Sequence, residues 1–144
     1  METLVSPPKV TRPGPNMYRA QRSAIIDGEP LPYEGLPRHW VDQALKAVLP
    51  YRPDKVFLFG SVVRQEDTIH SDIDLLVAID RVPLEHWREW EVAITVTAWD
   101  YCPYRVNPFL TDLEDLVRRR HIIISPCKWA QDEGRLIYEN PALR

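Results

Sequence analysis

Two short apolar runs lie near the middle of the chain, each bounded by polar or turn-forming residues. Residues 56–59 are all apolar and stop at Gly60, and residues 73–79 are apolar except for Asp74. Short runs of this kind are typical of strands that are buried on both faces of a sheet. We therefore predict two such strands, with Asp72 and Asp74 at the opening of the second.

Apolar residues at helical spacing surround these two predicted strands. The segment from about residue 38 to residue 49 follows a proline suited to a first helical turn and ends before two further prolines, so we predict a helix there. Residues 61–67 can supply a short helix after the first strand. A longer helix is predicted from Pro83 to Tyr101, although the Val-, Thr- and Ile-rich stretch 93–98 leaves a strand as the main alternative.

The last third of the chain predicts a further strand and a capped helix. Residues 104–110 form the third predicted strand, and Pro108, which has no N–H to donate, places it at a sheet edge or a bulge. Residues 111–114, Thr-Asp-Leu-Glu, have the capping-box pattern that opens a helix, here one running through Arg118.

The chain closes with a predicted helical turn or two after Pro126 and a strand at residues 136–138. Strands and helices are therefore mixed along its length. This order indicates an α/β (α+β) fold class, in which helices pack on a small mixed β-sheet.

The N-terminal segment differs from the rest in composition. The first 37 residues carry seven of the fourteen prolines, so residues 1–37 are predicted to be an arm and residues 38–144 the folded domain. Within the arm, residues 24–26 can form a short strand, and Tyr33 and Leu36 can pin the arm to the domain. Packing across the domain's own surface and reaching a neighbouring subunit, as in a homo-oligomer, are equally open.

Composition narrows the class of protein. A chain of 144 residues with 44% hydrophobic content suits one ordinary core, and a net charge of -3 gives no basic surface for gripping a polynucleotide. The two cysteines, Cys102 and Cys127, fit neither a zinc site nor a disulfide framework and are expected to be reduced thiols. No apolar run approaches the roughly 18 residues of a membrane span, so we expect a soluble, cytoplasmic protein.

The chemistry is concentrated where the two buried strands meet polar residues. Asp72 and Asp74 are two positions apart on a strand, so their carboxylates point the same way and can share hard divalent cations. Gly60 permits a sharp turn and close approach of phosphate, while Ser61 offers a hydroxyl and begins a helix whose free N–H groups favour anions. A triphosphate and a metal can therefore meet between adjacent strands.

Gly60-Ser61, a gap of ten residues and Asp72-Ile73-Asp74 together resemble the signature of the DNA polymerase beta-like nucleotidyltransferase superfamily in its minimal form. In element order the resemblance covers roughly residues 38–140 and implies the polymerase beta-like palm fold. It implies that Gly60 and Ser61 bind a nucleoside triphosphate and that Asp72 and Asp74 bind two magnesium ions. Arg64 also matches and would steady phosphate or pair with the strand's carboxylates, a surface or structural ion pair being an equal alternative.

The sequence departs from the family's pattern at the third acidic position. Members usually place a third carboxylate on the next core strand, where alignment by the strand's ending puts Asn107, with Asp100 as the upstream alternative. An asparagine can coordinate metal through its oxygen but cannot act as a general base. Either transfer is slow and solvent takes the proton, or the chain binds nucleotide without transferring it.

The resemblance implies a magnesium-dependent enzyme that transfers a nucleoside monophosphate, AMP from ATP by preference, to a hydroxyl of a protein or small molecule. Minimal members are commonly paired with a small helical HEPN-type protein, and some act as antitoxins that modify this partner. The alternatives are a catalytically weak module that neutralises a helical partner by contact, and a structural protein whose Asp-x-Asp is only solvated surface.

Overall fold

A computed structural model of the chain describes residues 6–8, 36–64, 72–80, 82–102, 106–122 and 124–143. Its helices and strands follow in chain order: α1 (Leu36–Val48), β1 (Lys55–Phe59), α2 (Ser61–Arg64), β2 (Ile73–Ala78), α3 (Trp87–Tyr101), β3 (Val106–Thr111), α4 (Leu113–Arg118), α5 (Pro126–Glu133) and β4 (Arg135–Glu139). Short 3-10 turns at Leu49–Tyr51, Leu84–His86, Arg119–His121 and Pro141–Leu143 connect or follow them. In the described part of the chain, no helix combines the length and apolar character that a membrane crossing needs.

The four strands form one mixed sheet in the order β3-β2-β1-β4. Strand β1 pairs antiparallel with both β2 and β4, and β2 pairs in parallel with β3. The parallel pair needs a crossover connection, and α3 supplies it. Strand β3 is therefore an edge strand, which confirms the position that Pro108 predicted.

The main core lies between one face of the sheet and helices α1 and α3. Alternate residues of β2 point into it and are almost fully buried: Ile73, Leu75 and Val77. They meet a stripe on α1 and another on α3: Val41, Ala44, Leu45, Val48, Trp90, Ile94 and Ala98. Helical and strand periodicity thus agree on one buried layer.

The opposite face of the sheet carries a smaller core and leaves room beside it. Phe59 of β1 and Leu76 of β2 pack there against Leu116 of α4 and against Cys127 and Ala130 of α5. By the alternation of strand side chains, Asp72 and Asp74 point to this second face. The polar site therefore lies on the less covered side of the sheet.

Most element predictions are confirmed with shifts of one to four residues at their ends, and residues 65–67 of the predicted short helix lie outside the described residues. The segment Ala93 to Ala98 is helical, so the strand alternative is wrong, because helical spacing puts Ala93, Ile94 and Ala98 on one face against the core. Cys102 and Cys127 are both buried thiols. The predicted arm at residues 1–37, its strand at residues 24–26 and Tyr33 lie outside the described residues, apart from 6–8 and the backbone of the helix start at Leu36.

The capping-box prediction needs a correction of one residue. Thr111 still belongs to β3, where it pairs with Ala78. Asp112 is the N-cap of α4, and its Oδ1 accepts a hydrogen bond of 2.7 Å from the N–H of Asp115. Asp112 takes the N-cap position because pairing in the sheet keeps Thr111 in the extended strand, one residue further than the sequence pattern predicted.

Tyr51 joins the turn after α1 to helix α3. Its hydroxyl donates to the carbonyl oxygen of Ala93 at 3.0 Å, so the hydroxyl of Thr97, 2.6 Å away, has to donate to the Tyr51 oxygen. Burial raises the pKa of Tyr51 above its ordinary value of 10.0, and the hydrogen bond from Thr97 opposes part of this rise. The fold therefore favours the neutral phenol.

We expect Tyr51→Phe to lower the free energy of unfolding by about 1 kcal/mol at neutral pH, the typical net value of a lost hydrogen bond. The stabilisation from the neutral phenol is complete below about pH 10, the pKa of an unfolded tyrosine, and is lost as the pH rises through the raised pKa of the folded protein. Urea unfolding between pH 7 and pH 11 should therefore show a flatter alkaline decline for the variant. Tyr138→Phe in β4 is the control and should keep the decline of the natural protein.

Candidate functional site

Strand register places three side chains in one row across the second face of the sheet. Phe59 of β1 stands opposite Asp74 of β2, and Asp74 stands opposite Asn107 of β3. Asp72 precedes Asp74 by two positions and is, like Asp74 and Asn107, partly exposed. The sheet therefore brings the two predicted aspartates and the predicted asparagine to one place.

Asn107 contacts both aspartates through its amide nitrogen. Its Nδ2 donates to Asp72 Oδ2 at 2.8 Å and to Asp74 Oδ1 at 3.4 Å. Asp100, the alternative third residue, lies exposed in the last turn of α3 instead. Asn107, and not Asp100, therefore stands beside the two aspartates, while its equivalence to the family's third acidic position stays a prediction.

Gly60 lies directly against the carboxylate of Asp74. Its φ of +87° belongs to the left-handed region that side chains other than glycine rarely adopt. A Cβ at this position would overlap Asp74 Oδ2 and would stand 3.3 Å from Asp74 Cγ. The turn after β1 and the acids of β2 therefore approach as closely as glycine allows.

The remaining predicted site residues follow this turn. Ser61 is the first residue of α2 and is partly exposed, next to Gly60 at the corner that faces Asp74. Arg64 ends α2, and its side chain lies outside the described residues. Both proposed roles for Arg64, phosphate contact and ion pair, stay predictions.

A recess of about 610 Å³ lies on the same face of the sheet, towards the ends of β2 and β3. Its floor includes Leu76 and Phe109, which lie two positions beyond Asp74 and Asn107 on the same strands and thus about 7 Å further along. Residues of α3, α4 and α5 complete its walls, among them Trp87, Arg88, Glu91, Asp115 and Cys127. We call this space the β3 recess. The sequence carries no local signal for this recess, because the side chains that line it come from elements that only the fold brings together.

The site fits a magnesium ion better than a transition metal. Two carboxylates and an amide oxygen are hard oxygen ligands, and Mg²⁺ is usually held by one or two carboxylates together with phosphate oxygens and water. Across the described ranges, no group of three or more His, Cys, Asp and Glu side chains is placed to hold a metal. Water or substrate oxygens would complete the coordination of a cation held by the two aspartates.

Fold and site together define a small mixed α/β protein with paired acids facing a glycine turn. Residues 43–141 match the family described as polymerase beta, nucleotidyltransferase. This match spans more than half of the chain, so the chain belongs to that family, which confirms the resemblance and the fold class. A comparison with curated proteins gives no match.

We expect Gly60→Ala to lower the free energy of unfolding by about 1–3 kcal/mol, because alanine is strained at positive φ and its Cβ would displace Asp74. The displacement should also move the side-chain amide resonance of Asn107, which donates to that carboxylate. Urea unfolding and a nitrogen-15 correlation spectrum measure the two effects.

Gly134→Ala is the matched control for this variant. A Cβ at Gly134 would stand 2.6 Å from the carbonyl oxygen of Leu58, so the substitution also disturbs a close backbone approach, but away from Asp74. It should destabilise the fold and leave the Asn107 resonance in place. An unmoved Asn107 resonance in Gly60→Ala would contradict the contact.

Proposed function

We propose that the chain is a magnesium-dependent nucleotidyltransferase that transfers a nucleoside monophosphate, AMP from ATP, to a hydroxyl of a protein or small molecule. The observation that carries the proposal is the row formed by the Gly60 turn, Asp74 and Asn107 across three adjacent strands, with Asp72 beside it. Family membership supports nucleotidyl transfer as the reaction class. The nucleotide, the acceptor and the metal are parts of the proposal.

Each group in the row has a defined task. The backbone at Gly60 and the hydroxyl of Ser61 receive the phosphates, at the corner that faces Asp74. Asp72 and Asp74 would hold magnesium, which would neutralise the charge that develops on the phosphate oxygens. Before a cation binds, Asn107 orients the two carboxylates through its hydrogen bonds.

The proposal also gives a direction to the transfer. With the phosphates at the Gly60 turn, on the β1 side of Asp74, in-line attack would bring the acceptor from the β3 side. The acceptor oxygen bonds to the α-phosphorus, the bond to the bridging oxygen breaks, and pyrophosphate leaves. The acceptor's proton passes to solvent, because the amide of Asn107 cannot accept it.

Two observations favour a second candidate, a binding module that neutralises a helical partner such as a HEPN-type protein by contact. The residue beside Asp74 on β3 is Asn107, whose amide cannot act as a general base. Helix α3 also presents apolar side chains to solvent, since Val92 and Val96 are each 50% exposed and Trp99 is 56% exposed. Exposed apolar patches of this kind mark interaction surfaces. In the predicted homo-oligomer formed through the N-terminal arm, a second subunit would be another partner for such a surface.

We expect Asp72→Ala to abolish binding of magnesium-ATP, because one of the two carboxylates of the pair is lost. Calorimetric titration of ATP, GTP and CTP in the presence of magnesium measures this and identifies the base. At a hundred times the dissociation constant, the natural protein should gain about 2.7 kcal/mol of stability, a gain that the variant lacks. Asp100→Asn, which changes an exposed acid at the end of α3, is the control and should bind as the natural protein does. Equal binding by natural protein and Asp72→Ala would refute the site.

We expect covalent transfer of label when the chain, a HEPN-type helical partner and ATP labelled at the α-phosphate are incubated with magnesium. Asp74→Asn should abolish the labelling, because it removes one of two metal-binding carboxylates. Gel autoradiography and intact mass of the partner measure the transfer. Inhibition of the partner without label, retained by Asp74→Asn, would support the binding module over the enzyme.

A further inference from the structure

The amide of Asn107 meets the two aspartates with its nitrogen and not with its oxygen. Nδ2 lies 2.8 Å from Asp72 Oδ2 and 3.4 Å from Asp74 Oδ1. Its two N–H bonds each carry partial positive charge and can point at the two carboxylates at once. The amide thus provides the kind of attraction that a cation would provide between the same oxygens.

A bound cation requires the opposite orientation of the Asn107 amide. Only the amide oxygen can face a positive ion, so the side chain has to rotate about its Cβ–Cγ bond, and both hydrogen bonds to the carboxylates break. An aspartate at this position behaves in the opposite way. It cannot donate when ionised, it repels Asp72 and Asp74 without a cation, and it adds a charged ligand when a cation is present.

We propose that Asn107 is a positioning residue that holds Asp72 and Asp74 together in place of a cation and thereby weakens their affinity for free magnesium. The pair then takes its cation together with the triphosphate, whose oxygens supply the missing ligands. This inference rests on the proposed function in one respect, that the pair binds a cation. The hydrogen bonds themselves are independent of it.

The test compares the natural protein with Asn107→Asp and Asn107→Leu, full-length chains in each case. In EDTA, both variants should unfold at lower urea concentration than the natural protein, because neither can donate to the carboxylates. Magnesium chloride without nucleotide should restore the unfolding midpoint of Asn107→Asp and restore Asn107→Leu far less. Calorimetry should show a dissociation constant for Mg²⁺ at least about tenfold lower in Asn107→Asp than in the natural protein, as an added charged ligand predicts.

A second readout uses the natural protein alone and does not depend on whether the variants fold. The nitrogen-15 resonance of the Asn107 side-chain amide, assigned by triple-resonance spectra, should shift strongly on addition of magnesium-ATP and little on addition of magnesium chloride at the same concentration. The first ligand turns the amide and the second does not.

The outcomes separate the two proposals. If the natural protein binds magnesium-ATP but Asn107→Asp is as stable in EDTA and binds Mg²⁺ no more tightly, the role of Asn107 is refuted and the proposed function stands. An Asn107 amide that does not respond to magnesium-ATP bound by the natural protein also refutes it. If no protein of the series binds Mg²⁺ with or without ATP, both proposals fail.

Discussion

Burial of one face of β2 fixes the direction of both carboxylates in the site. Ile73, Leu75 and Val77 are almost completely removed from water against α1 and α3, so the residues between them have to point to the other face. A slip of one residue would bury Asp74 and expose three large apolar side chains, at a cost of roughly 1.5–3 kcal/mol for each apolar side chain alone. The core therefore specifies the direction of the carboxylates without any contact to them.

Strands β1 and β3, the two neighbours of β2, bring the other site residues to these carboxylates. Antiparallel pairing puts the end of β1 beside the start of β2, so the Gly60 turn arrives at Asp74. Parallel pairing puts the start of β3 beside the start of β2, so Asn107 arrives from the other side. A mixed sheet is needed for this arrangement, because a uniformly parallel or antiparallel set of these three strands would bring different ends together.

Much of this could be predicted from the sequence, because local patterns decide it. The apolar runs at residues 56–59 and 73–79 predicted the central strands, and the spacing of Asp72 and Asp74 predicted a shared face. Asn107 was found by the ending of its strand, although Asp100 had to stay open until the register was known. The sequence pattern predicted the helix cap at Thr111, but the cap is Asp112. The difference arises because the pairing between distant strands decides where the extended chain ends.

What the sequence could not give depends on distances between remote segments. No local pattern says that an amide nitrogen lies 2.8 Å from a carboxylate 35 residues away, or that the β3 recess forms where α3, α4 and α5 approach the sheet. The closeness of Gly60 to Asp74 had a partial signal in the glycine itself, but glycine also suits an ordinary turn. These features arise from packing and can be obtained only from the fold.

The proline in β3 has a consequence beyond the site. An outer strand exposes a row of backbone groups that can template the addition of strands from other molecules, and Pro108 removes one donor from the middle of that row. At the opposite border of the sheet, the pairing of β4 with β1 is irregular between Val56 and Phe57. Both borders are thus poor templates for intermolecular β-sheet growth, which should discourage fibrillar self-assembly and leave side-chain surfaces as the means by which other proteins associate with this one.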